Sequence, residues 1–265
     1  MLFAIPFLQI DPVLFSIGPF AVRWYALSYV AGLLFGFQLL RRRAARSSDD
    51  VSADNIDDFL VWATIGIILG GRLGYVLFYN LQYFLANPLE IFATWRGGMS
   101  FHGGLLGVVI AGLLFCRRHK LSPLILGDML ACAAPIGLFF GRIANFINGE
   151  LYGRVTDAPW GVVFPYGGPE PRHPSQLYEA FLEGLVLFAV LNIMWRSEKI
   201  RANSGVLTGS FIAGYAIARM IVELFRQPDS HIGFLTLGST MGQWLSVPML
   251  IIGVGMIIWG SRRTA

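Results

Sequence analysis

Seven stretches of this chain are long and apolar enough to cross a bilayer, which takes about 20 residues of helix. They lie near 20–40, 59–79, 99–116, 122–142, 175–195, 205–225 and 239–260. A chain so divided has few folds open to it. Backbone inside lipid must satisfy its own hydrogen bonds, and apolar runs of this length do so as helices. The rest of the composition agrees. Residues are 55% hydrophobic and 14% charged, where soluble domains carry about 25% charge. The expected fold is an all-α integral membrane protein, a single polytopic domain over residues 1–265. No Lys or Arg occurs in the first twenty residues, and Pro6, Asp11, Pro12 and Pro19 interrupt them. A cleavable signal peptide would look different.

Basic residues set the orientation. Arg41, Arg42, Arg43 and Arg46 follow the first span. Arg117, Arg118 and Lys120 follow the third, Arg196, Lys199 and Arg201 the fifth, and Arg262 and Arg263 the seventh. These alternate connections face the cytoplasm, so the N-terminus is outside and the C-terminus inside, which requires an odd number of spans. Residues 47–58 form an acidic cytoplasmic connection whose Ser and Asp residues can cap the second span. Residues 80–98, with Tyr83, Phe84, Phe92 and Trp95, suit an interfacial segment. Residues 143–174 hold too many glycines and prolines for a long regular element and are expected to form a small external head. Gly32 and Gly36, Gly66, Gly70 and Gly74, Gly103 and Gly107, Gly137 and Gly141, and Gly205 and Gly209 recur at fourfold spacing, which permits close helix packing.

With orientation set, the polar groups inside the spans fall in the outer half. Arg23, Trp24 and Tyr25 open the first span. Arg72 shares a face with Tyr75 and Tyr79. His102 opens the third span and Arg142 closes the fourth. Gln176, Glu179 and Glu183 share a face of the fifth, and Tyr215, Arg219, Glu223 and Arg226 form one stripe on the sixth. Asp128, near the opposite end of the fourth span, is the exception. Arginine inside an apolar segment is costly and faces a partner or a cavity. Some of these groups are expected to pair structurally, Arg219 with Glu223 and Arg72 with Glu179 or Glu183. Six spans converging at one depth suggest a polar cavity open to the outer face. Arginine's planar fork takes phosphate bidentately, so the expected ligand is an anionic lipid headgroup.

The densest polar stretch follows Arg142, where Asn145, Asn148 and Glu150 alternate with Gly141, Gly149 and Gly153. If the helix continues past Arg142, then Arg142, Asn145 and Asn148 share a face. The sequence has no HExxH and no Cys/His cluster of metal-ligand spacing, so a metal site is not expected, and no GxSxG or P-loop appears. Cys116 and Cys132 lie in apolar context and read as core residues. The basic residues form no single patch, which excludes nucleic acid as partner. Ser100 and His102, two residues apart, point to different helix faces and make a poor nucleophile–base pair. His102 is nonetheless the best candidate general base, because imidazole titrates near neutral pH; the alternative is a histidine packed against glycine. His173, just before the fifth span, is expected to cap or orient it, while His119 and His231 read as solvated.

At these residues the chain resembles the prolipoprotein diacylglyceryl transferases of bacterial inner membranes. The resemblance is carried by Gly-Arg-Ile-Ala-Asn-Phe-Ile-Asn-Gly-Glu-Leu-Tyr-Gly at 141–153. It extends to Asp11-Pro12-Val13 with Arg23-Trp24-Tyr25, to the glycine-rich stretches at 70–75 and 98–104, to Arg172–Glu179 and to Glu223–Asp229. It implies transfer of the diacylglyceryl group of phosphatidylglycerol to the lipobox cysteine of a prolipoprotein signal peptide, with a multi-pass inner-membrane enzyme working on its periplasmic side. The nucleophilic thiol would be the substrate's, which fits the inert setting of Cys116 and Cys132. Arg142 and Arg219 match arginines essential in the family and would hold the headgroup phosphate. Tyr25, Asn145, Glu150, Gly153 and Tyr215 match other important positions. Tyr25 and Asn145 are expected to orient the headgroup, Glu150 to fix an arginine or the glycerol hydroxyls, and Arg226 with Glu223 to form a gating or structural pair.

Two rival classes remain from the residues alone. A transporter or flippase would also use an arginine-lined cavity, but would carry polar groups through both leaflets. A lipid-binding scaffold without catalysis would have no need of His102.

Overall fold

The computed structural model describes residues 5–8, 11, 13–18, 20–45, 51–228 and 233–262. Pro12, Pro19, Arg46, the Ser and Asp residues at 47–50, Asp229, His231 and Arg263 lie outside the described residues. The chain divides into two compact units, residues 1–39 with 127–265, and residues 40–126.

In the unit of residues 40–126, helix α2 (Ala53–Phe78) and helix α4 (Phe101–His119) pack together through glycine. A Cβ on Gly70 would strike the carbonyl of Gly103, and one on Gly66 would come within 2.9 Å of the Ala111 methyl. The fourfold spacing of Gly66, Gly70, Gly74, Gly103 and Gly107 is therefore the contact seam, where backbones meet without side chains between them. Ser52 starts α2: its Oγ accepts from the Asn55 amide, and the Asn55 side chain accepts from the Ser52 amide. This reciprocal cap fixes the helix start six residues before the expected span. Between α2 and α4 lie the short helix α3 (Leu81–Ala86) and two 3₁₀ turns, Pro88–Phe92 and Thr94–Arg96. Cys116 is buried at the far end of α4, and His119 is not simply solvated, since its ring lies 4.3 Å from that of Phe115.

The other unit begins with strand β1 (Ile5–Pro6) and a hairpin, β2 (Val13–Ile17) against β3 (Phe20–Arg23). The first span was expected to begin at residue 20. Phe20-Ala21-Val22 is as apolar as the helix after it, but it pairs as a strand, and helix α1 (Trp24–Ala44) starts four residues later. Helix α5 (Pro123–Ile147) runs five residues beyond its expected end and so carries Arg142 and Asn145 on helix, with Asn148 in the turn that follows. Helix α6 (Ser175–Glu179) passes through a π-helical stretch, Ala180–Val186, into helix α7 (Leu187–Trp195). Helix α8 (Glu198–Ala202) leads to α9 (Val206–Val222), and α10 (Met241–Arg262) packs on α9 where Gly253 meets Gly209.

Among the described residues, five stretches are long and apolar enough to cross a membrane: α2, α4, α5, the 21-residue run Ser175–Trp195, and α10; α9 is apolar but shorter, at 17 residues. The protein is a largely helical, multi-pass membrane protein. It departs from a purely α reading in the β2–β3 hairpin and in a parallel pair, β1 with β4 (Val162–Val163). Strand β4 belongs to residues 148–174, which lack long elements. Phe164 is buried there, with the rings of Phe7, Phe146 and Tyr152 within about 6 Å.

Candidate active site

Two ends hold α9. At its start, Asp128 of α5 accepts hydrogen bonds from the Gly205 amide (2.7 Å), the Thr208 amide (2.7 Å) and the Thr208 hydroxyl (2.7 Å). A helix start has unpaired amides, and a carboxylate from a neighbouring helix satisfies two of them here. Gly205, at φ +96°, makes the turn that presents its amide. Asp128 is thus no stray charge, and Gly205 serves the helix cap while Gly209 serves packing. At the other end, Arg154 donates to the carbonyls of Glu223 (3.0 Å) and Arg226 (2.9 Å). Cations at helix C-termini complement the unpaired carbonyls. Arg219, Glu223 and Arg226 are positioned between these two anchors.

The signature stretch of residues 145–153 folds back on itself and hangs from the start of α6. Glu150 Oε1 accepts from Asn145 (2.8 Å) and Asn148 (3.3 Å). The carbonyl of Glu150 accepts from Gln176 Nε2 (2.6 Å) and that of Leu151 from Ser175 Oγ (3.0 Å). The turn needs two left-handed residues, Gly149 at φ +67° and Leu151 at φ +57°. The second is strained for a leucine and is held by these bonds. Gly153 is explained by crowding: a Cβ there would lie 2.5 Å from the carbonyl of Phe225 and 2.7 Å from His173.

Three arginines and three glutamates meet where α5, the α6–α7 run and α9 come together. Glu179 and Glu183 are fully buried. Arg219 donates from Nη1 to Glu179 Oε1 and pairs through Nη2 with Glu223 (2.6 Å). Arg226 Nη1 reaches the same Glu179 oxygen at 3.1 Å. Arg142 lies 3.3 Å from Glu179 Oε2 through Nε and 3.3 Å from Glu183 Oε2 through Nη2. Glu179 is therefore a hub for all three guanidinium groups. The π-helical stretch, common at functional sites, begins at the residue after Glu179 and contains Glu183. Within it, Gly184 leaves room for α5, because a Cβ there would lie 2.9 Å from the Cα of Phe139, three residues before Arg142. Tyr215, one turn before Arg219, lies within electrostatic reach of Arg142, Glu179 and Glu183.

Formal charges in this cluster sum to zero, which buried ion groups need if they are not to be strongly destabilising. The guanidinium groups are nonetheless not exhausted, since each carries five N–H donors. The carboxylates hold the arginines side by side against their mutual repulsion.

Other expected site residues have different surroundings. Tyr25 bonds to the hydroxyl of Tyr29 (3.0 Å) and lies within electrostatic reach of Glu150. Glu150 binds asparagines and not an arginine. Glu223 pairs with Arg219 as expected, while Arg226 pairs with Glu179. Arg72 does not pair with Glu179 or Glu183. It is buried, and its fork donates to the carbonyls of Glu90 (2.6 Å), Ile91 (2.8 Å), Gly97 (2.7 Å), Gly98 (3.1 Å) and Ala93 (3.4 Å). Ser100 caps α4 by accepting from the Gly103 amide (3.2 Å), so its hydroxyl is already engaged. His102 is exposed in the first turn of α4, with its ring 5.7 Å from that of Phe101.

His173 ties the segment after Gly153 to the start of α6. Its carbonyl accepts from Gly153 (2.8 Å), its amide donates to Arg154 (3.0 Å), and its Nδ1 lies 3.1 Å from the Tyr178 hydroxyl. Trp160 Nε1 donates to that same hydroxyl (2.7 Å). Burial, then the charge of Arg154, hold His173 below its usual titration range.

Sequence reasoning placed Glu179 in a polar stripe without seeing it as the hub. The signal was there, since Gln176, Glu179 and Glu183 lie on one helix face in an apolar run. Asp128 stood out in the sequence as a charge in an apolar run, but its partners, the Gly205 and Thr208 amides and the Thr208 hydroxyl, did not, and Arg154, whose partners are backbone carbonyls, left no comparable signal.

A family model described as prolipoprotein diacylglyceryl transferase matches residues 12–259 of the chain. The chain is 59% identical over 264 residues to a phosphatidylglycerol–prolipoprotein diacylglyceryl transferase of Rhodospirillum rubrum, covering 99% of this chain and 96% of the relative. It is 56% identical over 266 residues to that of Paramagnetospirillum magneticum, covering 100% and 99%. It is likewise 56% identical over 264 residues to that of Azospirillum brasilense, covering 99% and 98%.

Proposed function

Because the chain belongs to the prolipoprotein diacylglyceryl transferase family, we propose that it transfers the diacylglyceryl group of phosphatidylglycerol to the lipobox cysteine thiol of prolipoproteins. Glycerol phosphate is released, and the reaction is the first step of bacterial lipoprotein maturation. The enzyme works in the inner membrane with its site toward the periplasm. Helices α1 and α9 join the five stretches named above as spans, giving seven, with the N-terminus outside, the C-terminus inside and residues 143–174 as a periplasmic head.

In this reaction the sulfur–carbon bond forms as the glyceryl carbon–oxygen bond breaks. The departing oxygen keeps the electron pair, so negative charge gathers on the phosphate. The thiol proton leaves the sulfur and finally balances the released phosphate. Free thiols titrate near 8.5, so a base speeds the step, and His102 is assigned that role. Arg142 and Arg219 hold the phosphate through donors not used by Glu179, Glu183 and Glu223. Prepositioned donors stabilise charge as it develops, without reorganising at that moment. Tyr25 and Asn145 orient the headgroup, and Tyr215, Glu150, Gly153 and Arg226 keep the surrounding shape.

The observation that carries this reading is the convergence of three guanidinium groups on the one buried carboxylate of Glu179. The test is reconstitution of purified protein in phosphatidylglycerol vesicles with a lipobox peptide. The expected result is a diacylglyceryl mass increment on cysteine with one glycerol phosphate released per transfer. A cysteine-to-serine peptide, or phosphatidylcholine as the sole lipid, gives none. Lipid movement between leaflets without transfer would put the transporter in its place.

A further inference from the structure

Arg72 and the segment it holds point to a feature outside the transfer reaction. Residues 81–98 make a short helix and two 3₁₀ turns, interrupted at Asn87 and Ala93 and followed by Gly97 and Gly98 outside any helix. In water such backbone bonds to solvent and needs no arginine. Inside a low-dielectric layer every unpaired carbonyl is costly, and irregular backbone survives there only if the protein satisfies it. Arg72 does so. Its guanidinium, on α2, donates to the carbonyls of Ile91, Gly97 and Gly98, adds a second bond to those of Glu90 and Ala93, which already accept the Ala93 and Arg96 amides, and stacks over the Phe84 ring at 5.0 Å.

The other side of the segment carries large apolar groups turned outward. Leu89 is 82% exposed, Phe92 74%, Trp95 80% and Phe101 76%. Helices α2 and α4, which flank the segment in the chain, also present exposed apolar side chains, at Leu73, Leu77, Leu105 and Val109 among others. Its charged residues, Glu90 and Arg96, neutralise each other in a two-oxygen ion pair at 2.5 and 2.6 Å. No basic cluster is present to bind an acidic surface, so burial of apolar area is the available attraction.

We propose that residues 81–101 are a membrane-interface wedge, folded by Arg72, that seats Leu89, Phe92 and Trp95 in the headgroup–acyl boundary of the bilayer. The occupant of this apolar face is lipid, not a protein partner. Arg72 is then a positioning residue: it lets irregular backbone enter the interface and fixes the entry to α4, whose first turn bears His102.

The test uses spin labels on the full chain in phosphatidylglycerol–phosphatidylcholine vesicles. Labels are placed one at a time at Leu89→Cys, Phe92→Cys and Trp95→Cys, with Leu69→Cys on mid-α2 as the lipid reference and Glu170→Cys as the aqueous reference. Unsubstituted protein, whose Cys116 and Cys132 are buried, is the labelling blank. The expected result is collision with oxygen favoured over a nickel chelate at 89, 92 and 95, as at 69 and opposite to 170. Labels that behave as at 170 overturn the proposal. In Arg72→Lys, which keeps the charge but loses the fork, the labels at 89 and 92 should shift toward the aqueous reference. A folded Arg72→Lys protein with unchanged depths would remove Arg72 from the account. If that variant does not fold, the depths in the unsubstituted background decide alone. Neither reading depends on catalytic activity, so failure of the transferase assay and failure of this proposal are separate results.

Discussion

Glu179 binds Arg219 through the oxygen that also takes Arg226, leaving its second oxygen to face Arg142. One buried carboxylate thereby keeps three cations from α5, α9 and the turn after α9 in a single cluster. Glu179→Gln preserves shape but removes the charge. Breaking a buried ion pair by loss of one partner costs about 3–5 kcal/mol. The expected outcome is a lower thermal unfolding midpoint in detergent together with loss of transfer, read by a melting curve and a transfer assay on the same sample.

Asp128 acts at a distance from that cluster, at the opposite end of α9. Asp128→Ala leaves the amides of Gly205 and Thr208 without their partner, a loss of about 1–2 kcal/mol for a helix cap. Asp128→Asn, which keeps an acceptor, should cost less. The unfolding midpoint should fall in that order, while transfer per folded molecule, measured at low temperature, stays near the unsubstituted rate.

His173 makes stability depend on pH. Its folded pKa lies below the ordinary value of about 6.5. The unfolded chain therefore binds the proton first, and stability is lost as pH falls below the unfolded pKa. Melting curves between pH 8 and pH 5 should show a declining midpoint on the acid side. His173→Gln should flatten the part of that decline that belongs to this residue.

Gly153→Ala places a methyl against the backbone carbonyls of Phe225 and His173, which have no flexible end to give way. The bridge between Gly153 and Arg226 should open. The expected outcome is weaker transfer with a lower melting midpoint, both beyond what Gly167→Ala causes, where the nearest atoms belong to the flexible Arg172 side chain.

The helical stretches were readable because hydropathy and length determine what can cross a bilayer, and the glycine seam of α2 with α4 was readable because its spacing repeats. The start of α1 was not, since Phe20-Ala21-Val22 is apolar whether it pairs as strand or coils as helix. Arg142, Arg219 and Glu223 were recognisable in the sequence as charges set into apolar runs, and the i, i+4 spacing of Arg219 and Glu223 predicted their pairing. Arg72 was misread for a physical reason: a buried guanidinium needs acceptors, and sequence displays carboxylates but hides backbone carbonyls. The same blindness concealed the partners of Asp128 and Arg154, which are helix ends.

The most direct measurement is single-turnover transfer from phosphatidylglycerol to a lipobox peptide by the unsubstituted protein, Arg142→Ala, Arg219→Ala and His102→Gln. Losing a donor to developing charge typically costs about a hundred- to a thousand-fold in rate, and losing a general base about a hundred- to ten-thousand-fold. The account predicts losses on these scales, with the arginine variants also binding phosphatidylglycerol more weakly and His102→Gln binding it normally. Arginine variants that are folded and transfer at the unsubstituted rate would contradict it.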